Sequence, residues 1–314
     1  MSPLWITDAD VRRLLSVEEA IPLVEAVLRQ QAVGAATNMP RRHTVAGPVA
    51  APGVMLAHMS AALHEQGVFG FKVYSIVGGE YRFFVLLYGM QTGDLLAVIE
   101  AAALGRLRTG AASGVSVMHM ARENSAEIGI LGSGFQADAQ LEAICSVRTI
   151  ERVRVFSRNP TNRSDFARRM TDTLGIEVQA ADNPHDVVER ADILVTITNS
   201  PTPVFSGEWL CSGTHICAVG GANEYVTELD DATISRADII AVDSIAQAKI
   251  ECGELLMPTS RGLLLWEQVS ELHQIVGGMK PSRRGADDIT LFKSLGMAMW
   301  DLAAAKAVYD RYIS

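Results

Sequence analysis

The chain has 314 residues, 48% of them hydrophobic and 20% charged, with a formal net charge of -9 at pH 7. This is the composition of an ordinary soluble globular protein long enough for two domains, and the acidic balance argues against nucleic acid as a partner. No apolar run is long enough to cross a membrane, and the start MSPLWITDADVRRLL lacks the basic-then-apolar order of a signal peptide, so a cytoplasmic location is expected. The four cysteines (Cys145, Cys211, Cys217, Cys252) form no CxxC and the seven histidines form no HExxH-like pair. The cysteines therefore read as small core residues, and no metal is expected.

Residues 7–15 read as one or two short helical turns. Ser16-Val17-Glu18-Glu19 is a capping box that predicts a helix to about Val33, with Ala20, Leu23, Val24, Val27 and Leu28 on its apolar face and Gly34 at its end. Residues 38–45 (NMPRRHTV) form a basic loop running into a strand. Residues 54–62, 68–76, 81–88 and 94–103 read as strands, punctuated by Gly53, Gly67, Gly78-Gly79 and Thr92-Gly93 at hairpin-like intervals. The expectation is a mostly antiparallel sheet packed by helices. Lys72 stands in the middle of one apolar strand; taken alone, it reads as a solvent-facing residue, because lysines are rarely buried. Residues 104–120 look like a helix rich in small residues, which allow close backbone approach to another helix or to a ligand. Arg108, in its first turns, reads alone as a surface charge.

Residues 126–141 (AEIGILGSGFQADAQL) organise the rest of the chain. A short buried strand, 127–131, runs into Gly132-Ser133-Gly134-Phe135-Gln136-Ala137 and then a helical pattern. This is G-x-G-x-x-A in the strand–turn–helix setting that dinucleotide binding requires. Gly132 permits the tight turn, Gly134 lets backbone approach a pyrophosphate, and Ala137 lets the helix pack on the strand. The positive helix end then faces the phosphates. A second strand, 152–156, ends at the tip Ser157-Arg158-Asn159-Pro160. An NAD enzyme usually carries an acid there for the ribose 2′-OH. None is present, and Ser157 with Arg158 suits a 2′-phosphate, so NADP(H) is favoured and NAD(H) stays possible.

Residues 162–174 are helical, 177–180 a third strand, 184–190 a short helix and 193–198 a fourth strand ending in Thr198-Asn199. Residues 215–219 and 239–242 supply two more strands, with Gly220-Gly221-Ala222-Asn223 after the first. This alternation predicts an α/β fold: a doubly wound parallel (Rossmann) sheet joined to an α+β domain. Residues 246–265 read as helix broken near Pro258, 277–288 as a polar loop, and 289–312 as a closing stretch whose long amphipathic helix begins near Ser294.

Together these stretches resemble the ornithine cyclodeaminase/mu-crystallin family over almost the whole chain. The marks are Gly70-Phe71-Lys72-Val73, Gln91-Thr92-Gly93, Leu107-Arg108-Thr109-Gly110-Ala111-Ala112, the GSGFQA fingerprint, Glu228-Leu229-Asp230 and Thr290-Leu291-Phe292-Lys293-Ser294-Leu295-Gly296. The resemblance implies a substrate-binding and dimerisation domain (1–120 plus 296–314), an NAD(P)-binding domain (121–295) and a homodimer. It implies that Arg41, or neighbouring Arg42, grips the substrate carboxylate, that Lys72 stands beside the reacting end of the substrate, and that Arg108 contacts cofactor phosphates. It also places Thr109, Phe135, Gln136, Thr198, Val219 and Ser294 around the cofactor, beside the Gly132, Gly134, Ser157 and Arg158 read from the fingerprint and the tip. Cyclodeaminases of the family carry an aspartate where this chain has Ala222, so loss of ammonia with ring closure is disfavoured. The expected activity is an NAD(P)H-dependent oxidoreductase acting on the C–N bond of a small amino or imino acid, such as 1-pyrroline-2-carboxylate, or an alanine-dehydrogenase-like reaction. The alternatives are a cyclodeaminase lyase and a non-catalytic mu-crystallin-like binding protein.

Overall fold

The computed structural model describes residues 2–46, 54–221 and 223–314. Gly53 and Ala222 lie outside the described residues. The chain divides into two compact units, Met1–Arg108 with Gly296–Ser314, and Thr109–Leu295. The first boundary falls inside the helix Ala102–Met120.

In the first unit, seven strands among the described residues form one sheet: β1 (Leu4–Ile6), β2 (Ala36–Asn38), β3 (Arg42–Ala46), β4 (Val54–Leu63), β5 (Val68–Val77), β6 (Glu80–Gly89) and β7 (Leu95–Glu100). Their order is β1-β7-β6-β5-β4-β2, with β3 also pairing β4. All pairings are antiparallel except β1 with β7, and β1 was not foreseen. Gly78 and Gly79, with φ of 59° and 86°, close the β5–β6 hairpin as a two-residue turn, the conformation that matches strand twist. The predicted capping box is present: Ser16 Oγ accepts from the Glu19 amide at 3.2 Å, while Glu19 accepts from the Ser16 amide at 2.9 Å. Helix Val17–Ala32 then buries Ala20, Val24, Val27 and Leu28.

Two expectations for this unit are corrected. The strand predicted over 94–103 stops at Glu100, and a helix starts at Ala102 instead of 104. The reason is distant in sequence: Asp8 Oδ1 accepts from the Ala103 amide at 2.8 Å, capping the helix from elsewhere in the fold. Lys72 does not face solvent. Alternation along β5 puts it in phase with buried Val68 and Gly70, on the face covered by the terminal helix Ala298–Ile313. Arg108 is likewise buried rather than a surface charge.

The second unit holds an eight-stranded parallel sheet among the described residues. Its strands are β8 (Glu127–Leu131), β9 (Arg152–Phe156), β10 (Glu177–Ala180), β11 (Ile193–Thr196), β12 (His215–Ala218), β13 (Ile239–Val242), β14 (Val269–Glu271) and β15 (Thr290–Lys293). The order is β10-β9-β8-β11-β12-β15-β13-β14. The chain enters at β8, winds outward through β9 and β10, and returns to β11 on the other side of β8. The switch point therefore lies between β8 and β11, where ligand crevices form at strand carboxyl ends. Residues 290–293 are strand, not the approach to a helix, and all four are buried. A short apolar run flanked on both sides by parallel neighbours has no surface face, so its sequence carries no period to read. Strand β14 also escaped prediction. The break expected near Pro258 falls at Cys252, between helices Ile245–Glu251 and Gly253–Ser260. Cys217 and Cys252 are buried as expected, whereas Cys211 is exposed.

The small-residue helix is explained at Gly110. A Cβ there would sit 2.3 Å from the Ala139 carbonyl oxygen. Gly110→Ala is expected to cost about 1–3 kcal/mol of stability by overpacking. Gly285→Ala, where a Cβ meets open space, should stay within about 0.5 kcal/mol. Denaturant unfolding of both variants checks the contrast.

Candidate functional site

A cavity of about 1180 Å³ opens at the switch point of the parallel sheet. Gly132, Gly134, Phe135, Gln136, Ser157, Arg158, Thr198 and Val219 all line it. The fold thus gathers residues spread over nearly ninety positions of sequence. Gly132 has φ of 121°, and a Cβ there would lie 2.4 Å from the Ile197 carbonyl oxygen, so only glycine fits the turn. A Cβ on Gly134 meets no protein atom within 4 Å, which leaves that backbone bordering open cavity. The helix Ala137–Val147 begins without a side-chain cap, and the buried Gln136 Oε1 has no hydrogen-bond partner among the described residues. An uncapped helix end beside a bare glycine turn is what a phosphate group needs.

At the tip after β9, Ser133 Oγ donates to Ser157 Oγ at 2.8 Å. Arg163 props the tip from below, donating to the Ser157 carbonyl at 3.2 Å and pairing with Asp182 at 3.0 Å. Arg158 is exposed and has no ion-pair partner among the described residues. The far wall, Thr198 and Gly220, is held by Glu228, which accepts from the Gly220 amide at 3.0 Å and from Thr196 Oγ1 at 2.8 Å. Burial pushes the Glu228 carboxyl up, against the downward pull of Lys293 and its threonine donors. Lys293 donates to the carbonyls of Gly220 and Gly221 at 2.9 and 3.0 Å and pairs with Glu254 at 3.2 Å. Burial works against its ammonium, but the charges of Glu254 and Glu228 outweigh that and raise it.

Three of the residues expected around the cofactor, Ser294, Thr109 and Arg108, are not among those lining this cavity. Ser294 Oγ donates to Asp243 Oδ2 at 3.2 Å inside the same unit. Thr109 is buried in the small-residue helix. Arg108 belongs to the other unit.

The first unit holds a buried basic cluster. Lys72 Nζ lies 2.9 Å from Asp301 Oδ1, and Arg108 Nε lies 3.1 Å from the same oxygen. Lys72, Arg108 and Asp301 are 3%, 7% and 0% exposed. The Lys72 amine sits over the Phe83 ring at 5.1 Å. Gly105 supplies its space: a Cβ there would be 3.1 Å from Nζ. Gly296, at φ of 85°, does the same for Arg108, whose Nη1 would be 2.8 Å from a Cβ. Burial lowers the Lys72 pKa to about 8; Asp301 pulls it back up, while Arg108 and Arg41 push it down. Of the two candidate carboxylate anchors, Arg41 is buried and Arg42 exposed.

Sequence reasoning missed Asp301, Glu228, Lys293 and Glu254 as members of these sites. Two signals were available: Lys293 interrupts an apolar strand, and Asp301 is an acid within the apolar stretch MAMWDLAAA. One exposed grouping, His185 with Asp186 and Glu189, brings possible ligand atoms within 4.8 Å of one another. Glu189 and the neighbouring Arg190 already form an ion pair, and such groupings are common without a metal.

The switch-point crevice, the glycine turn and the uncapped helix define a Rossmann-type α/β protein. The chain belongs to the ornithine cyclodeaminase/mu-crystallin family, whose profile matches residues 2–314. It is 38% identical over 230 residues to a Delta(1)-pyrroline-2-carboxylate reductase of Bacillus cereus, covering 73% of this chain and 70% of that one. It is 34% identical to an alanine dehydrogenase of Archaeoglobus fulgidus, covering 100% and 96%. The fold superposes with a TM-score of 0.93 and 33% identity on Thermococcus litoralis Delta(1)-pyrroline-2-carboxylate reductase in complex with NADH and L-proline, covering 99% of this chain and 97% of that one.

Lys293→Met leaves Glu254 buried without its cation and is expected to cost about 3–5 kcal/mol. Arg261→Met removes an exposed pair with Asp231 and should cost less than about 1 kcal/mol. Urea unfolding of the two variants measures the difference.

Proposed function

We propose that the protein is an NAD(P)H-dependent oxidoreductase that reduces the C=N bond of a small imino acid, with 1-pyrroline-2-carboxylate the leading substrate. The observation that carries this is a buried ammonium, Lys72, set among two arginines and one carboxylate. The relatives support the reaction class, since the B. cereus and T. litoralis proteins are reductases of this imine. Arg41 is the group that pairs with the substrate carboxylate, for which a guanidinium offers two parallel donors. The Gly132–Gln136 turn would hold the phosphates of a dinucleotide, whose nicotinamide would supply the hydride. As the imine carbon takes it, the C=N π pair moves onto nitrogen, and Lys72 Nζ gives that nitrogen its proton. Lys72 then recovers a proton from solvent. An acid near neutrality suits this role, because it is charged at working pH yet gives up its proton readily. A cyclic imine needs no handling of ammonia, which fits a chain with alanine at position 222.

Direct assay tests the reading. Consumption of reduced cofactor with 1-pyrroline-2-carboxylate is expected, with 2-oxo acids plus ammonia as the next substrates. Lys72→Met should lower kcat by about a hundredfold or more. Ammonia released from ornithine without net redox would overturn the proposal in favour of a lyase, and tight cofactor binding with no turnover in favour of a binding protein.

Cofactor choice rests on the tip. Ser157 and Arg158 present a hydroxyl and an exposed guanidinium and no acid, which favours NADPH. One charge-assisted contact to a 2′-phosphate is expected to give a preference of roughly ten- to a hundredfold. Arg158→Ala should erase most of it while sparing turnover with NADH. Equal use of both cofactors by the wild type, or a preference for NADH, the cofactor named with the T. litoralis structure, would sink this part of the reading.

The assembly is inferred to be a homodimer built on the first unit's sheet. The face of that sheet away from the terminal helix exposes Val54, Leu56, Phe69 and Val77 beside half-buried Phe71 and Tyr88. Contiguous apolar faces of this kind usually meet a partner. Sedimentation at micromolar concentration should show a dimer, and Phe69→Glu should shift it toward monomer.

A further inference from the structure

We propose that Asp301 is a positioning residue of the reaction: through one oxygen it holds Lys72 and Arg108 in a single buried cluster and keeps Lys72 an ammonium at working pH. This rests on the reading of Lys72 as the proton donor. The geometry is specific. Asp301 Oδ1 takes both cations, Lys72 at 2.9 Å and Arg108 at 3.1 Å. Asp301 Oδ2 is buried with no hydrogen-bond partner among the described residues, so there the carboxylate is committed on one oxygen only. Asp301 is fully buried in the first turn of the terminal helix, and its charge is therefore screened little by water.

No other carboxylate is paired with Lys72 among the described residues. The charged groups that act on it are Asp301 from the terminal helix, Arg108 from Ala102–Met120, and Arg41 from the segment before β3. Its cross-strand neighbours, Met59 on β4 and Val85 on β6, are uncharged, as is the Phe83 ring beneath it. Two cations and burial all work against the Lys72 proton, and one carboxylate works for it. Removing that carboxylate leaves nothing to oppose them. The amine would then deprotonate at lower pH and cease to be a donor over part of the range in which it now serves.

A donor must be protonated, so kcat falls as pH rises through the Lys72 pKa, about 8 in the intact cluster. Asp301→Asn moves that fall acid-ward, and Arg108→Gln moves it alkaline-ward. A residue that merely stabilised the fold would lower stability in both variants and shift neither titration.

The test reads Lys72 itself. The other lysines of the chain are Lys249, Lys280, Lys293 and Lys306, so protein labelled with ¹³C at lysine Cε gives a spectrum in which Lys72 is assigned by its loss in Lys72→Met. The Lys72 titration is expected to move acid-ward by about one to three units in Asp301→Asn, the range for an opposite charge at this distance. It should move the other way in Arg108→Gln. An unmoved or alkaline-shifted Lys72 in folded Asp301→Asn overturns the proposal. If Asp301→Asn does not fold, Arg108→Gln decides alone, and an unmoved titration there overturns it equally. Parallel pH profiles of kcat with the imino acid should shift with the spectrum. A spectrum that shifts while no imine is turned over at any pH leaves the role of Asp301 in the cluster standing and removes the proposed function instead.

Discussion

The first unit is built around a lysine amine that is almost wholly buried. An isolated ammonium in that position would be forced neutral, and the fold prevents this with one carboxylate oxygen shared between two cations. The other features of the unit make that arrangement geometrically possible. Strand alternation turns Lys72 inward, Gly105 clears space for its amine, Gly296 lets the Arg108 guanidinium lie against backbone, and the terminal helix brings Asp301 down onto the sheet. Burial and electrostatics are thus balanced so that the amine is acidic for a lysine yet still charged near neutrality.

The second unit solves a different problem, holding an open crevice against collapse. The winding order of its parallel sheet reverses beside β8, between β8 and β11. One wall is a glycine turn that no side chain can fill. The opposite wall is the Gly220-Gly221 loop, clamped from beneath by Glu228 through the Gly220 amide and by Lys293 through both carbonyls. Both charges are buried, and each is satisfied by backbone and by the other members of the network. A loop fixed at both donor and acceptor groups keeps its shape without a ligand, which is how a binding wall avoids an ordering cost.

Much of this was legible in the chain before folding. The fingerprint predicted β8, the turn and the helix because each glycine answers a local steric demand. Strands β9, β10 and β13 matched their predicted bounds, as short runs between clear breaks. Local rules failed where the partner was remote. The start of Ala102–Met120 depended on Asp8, the break at Cys252 was placed at the more conspicuous proline, and β15 was not foreseen because a strand buried on both faces has no alternation. The residues lining the crevice were nameable from motif and resemblance, but Asp301, Glu254 and Lys293 were not, since nothing near them in sequence announces what they touch.

By itself, the sequence determined the class of fold, the glycine turn after β8, the family and hence the kind of chemistry, because periodicity, capping and glycine geometry act over a few residues at a time. Only the tertiary structure decided the electrostatics. Whether Lys72 faces water or a carboxylate, whether Arg41 or Arg42 is buried, and which acid holds which cation depend on contacts such as that between residues 72 and 301, separated by 229 positions. Charge interactions are set by distance and by exclusion of water, and neither quantity exists until the chain has folded.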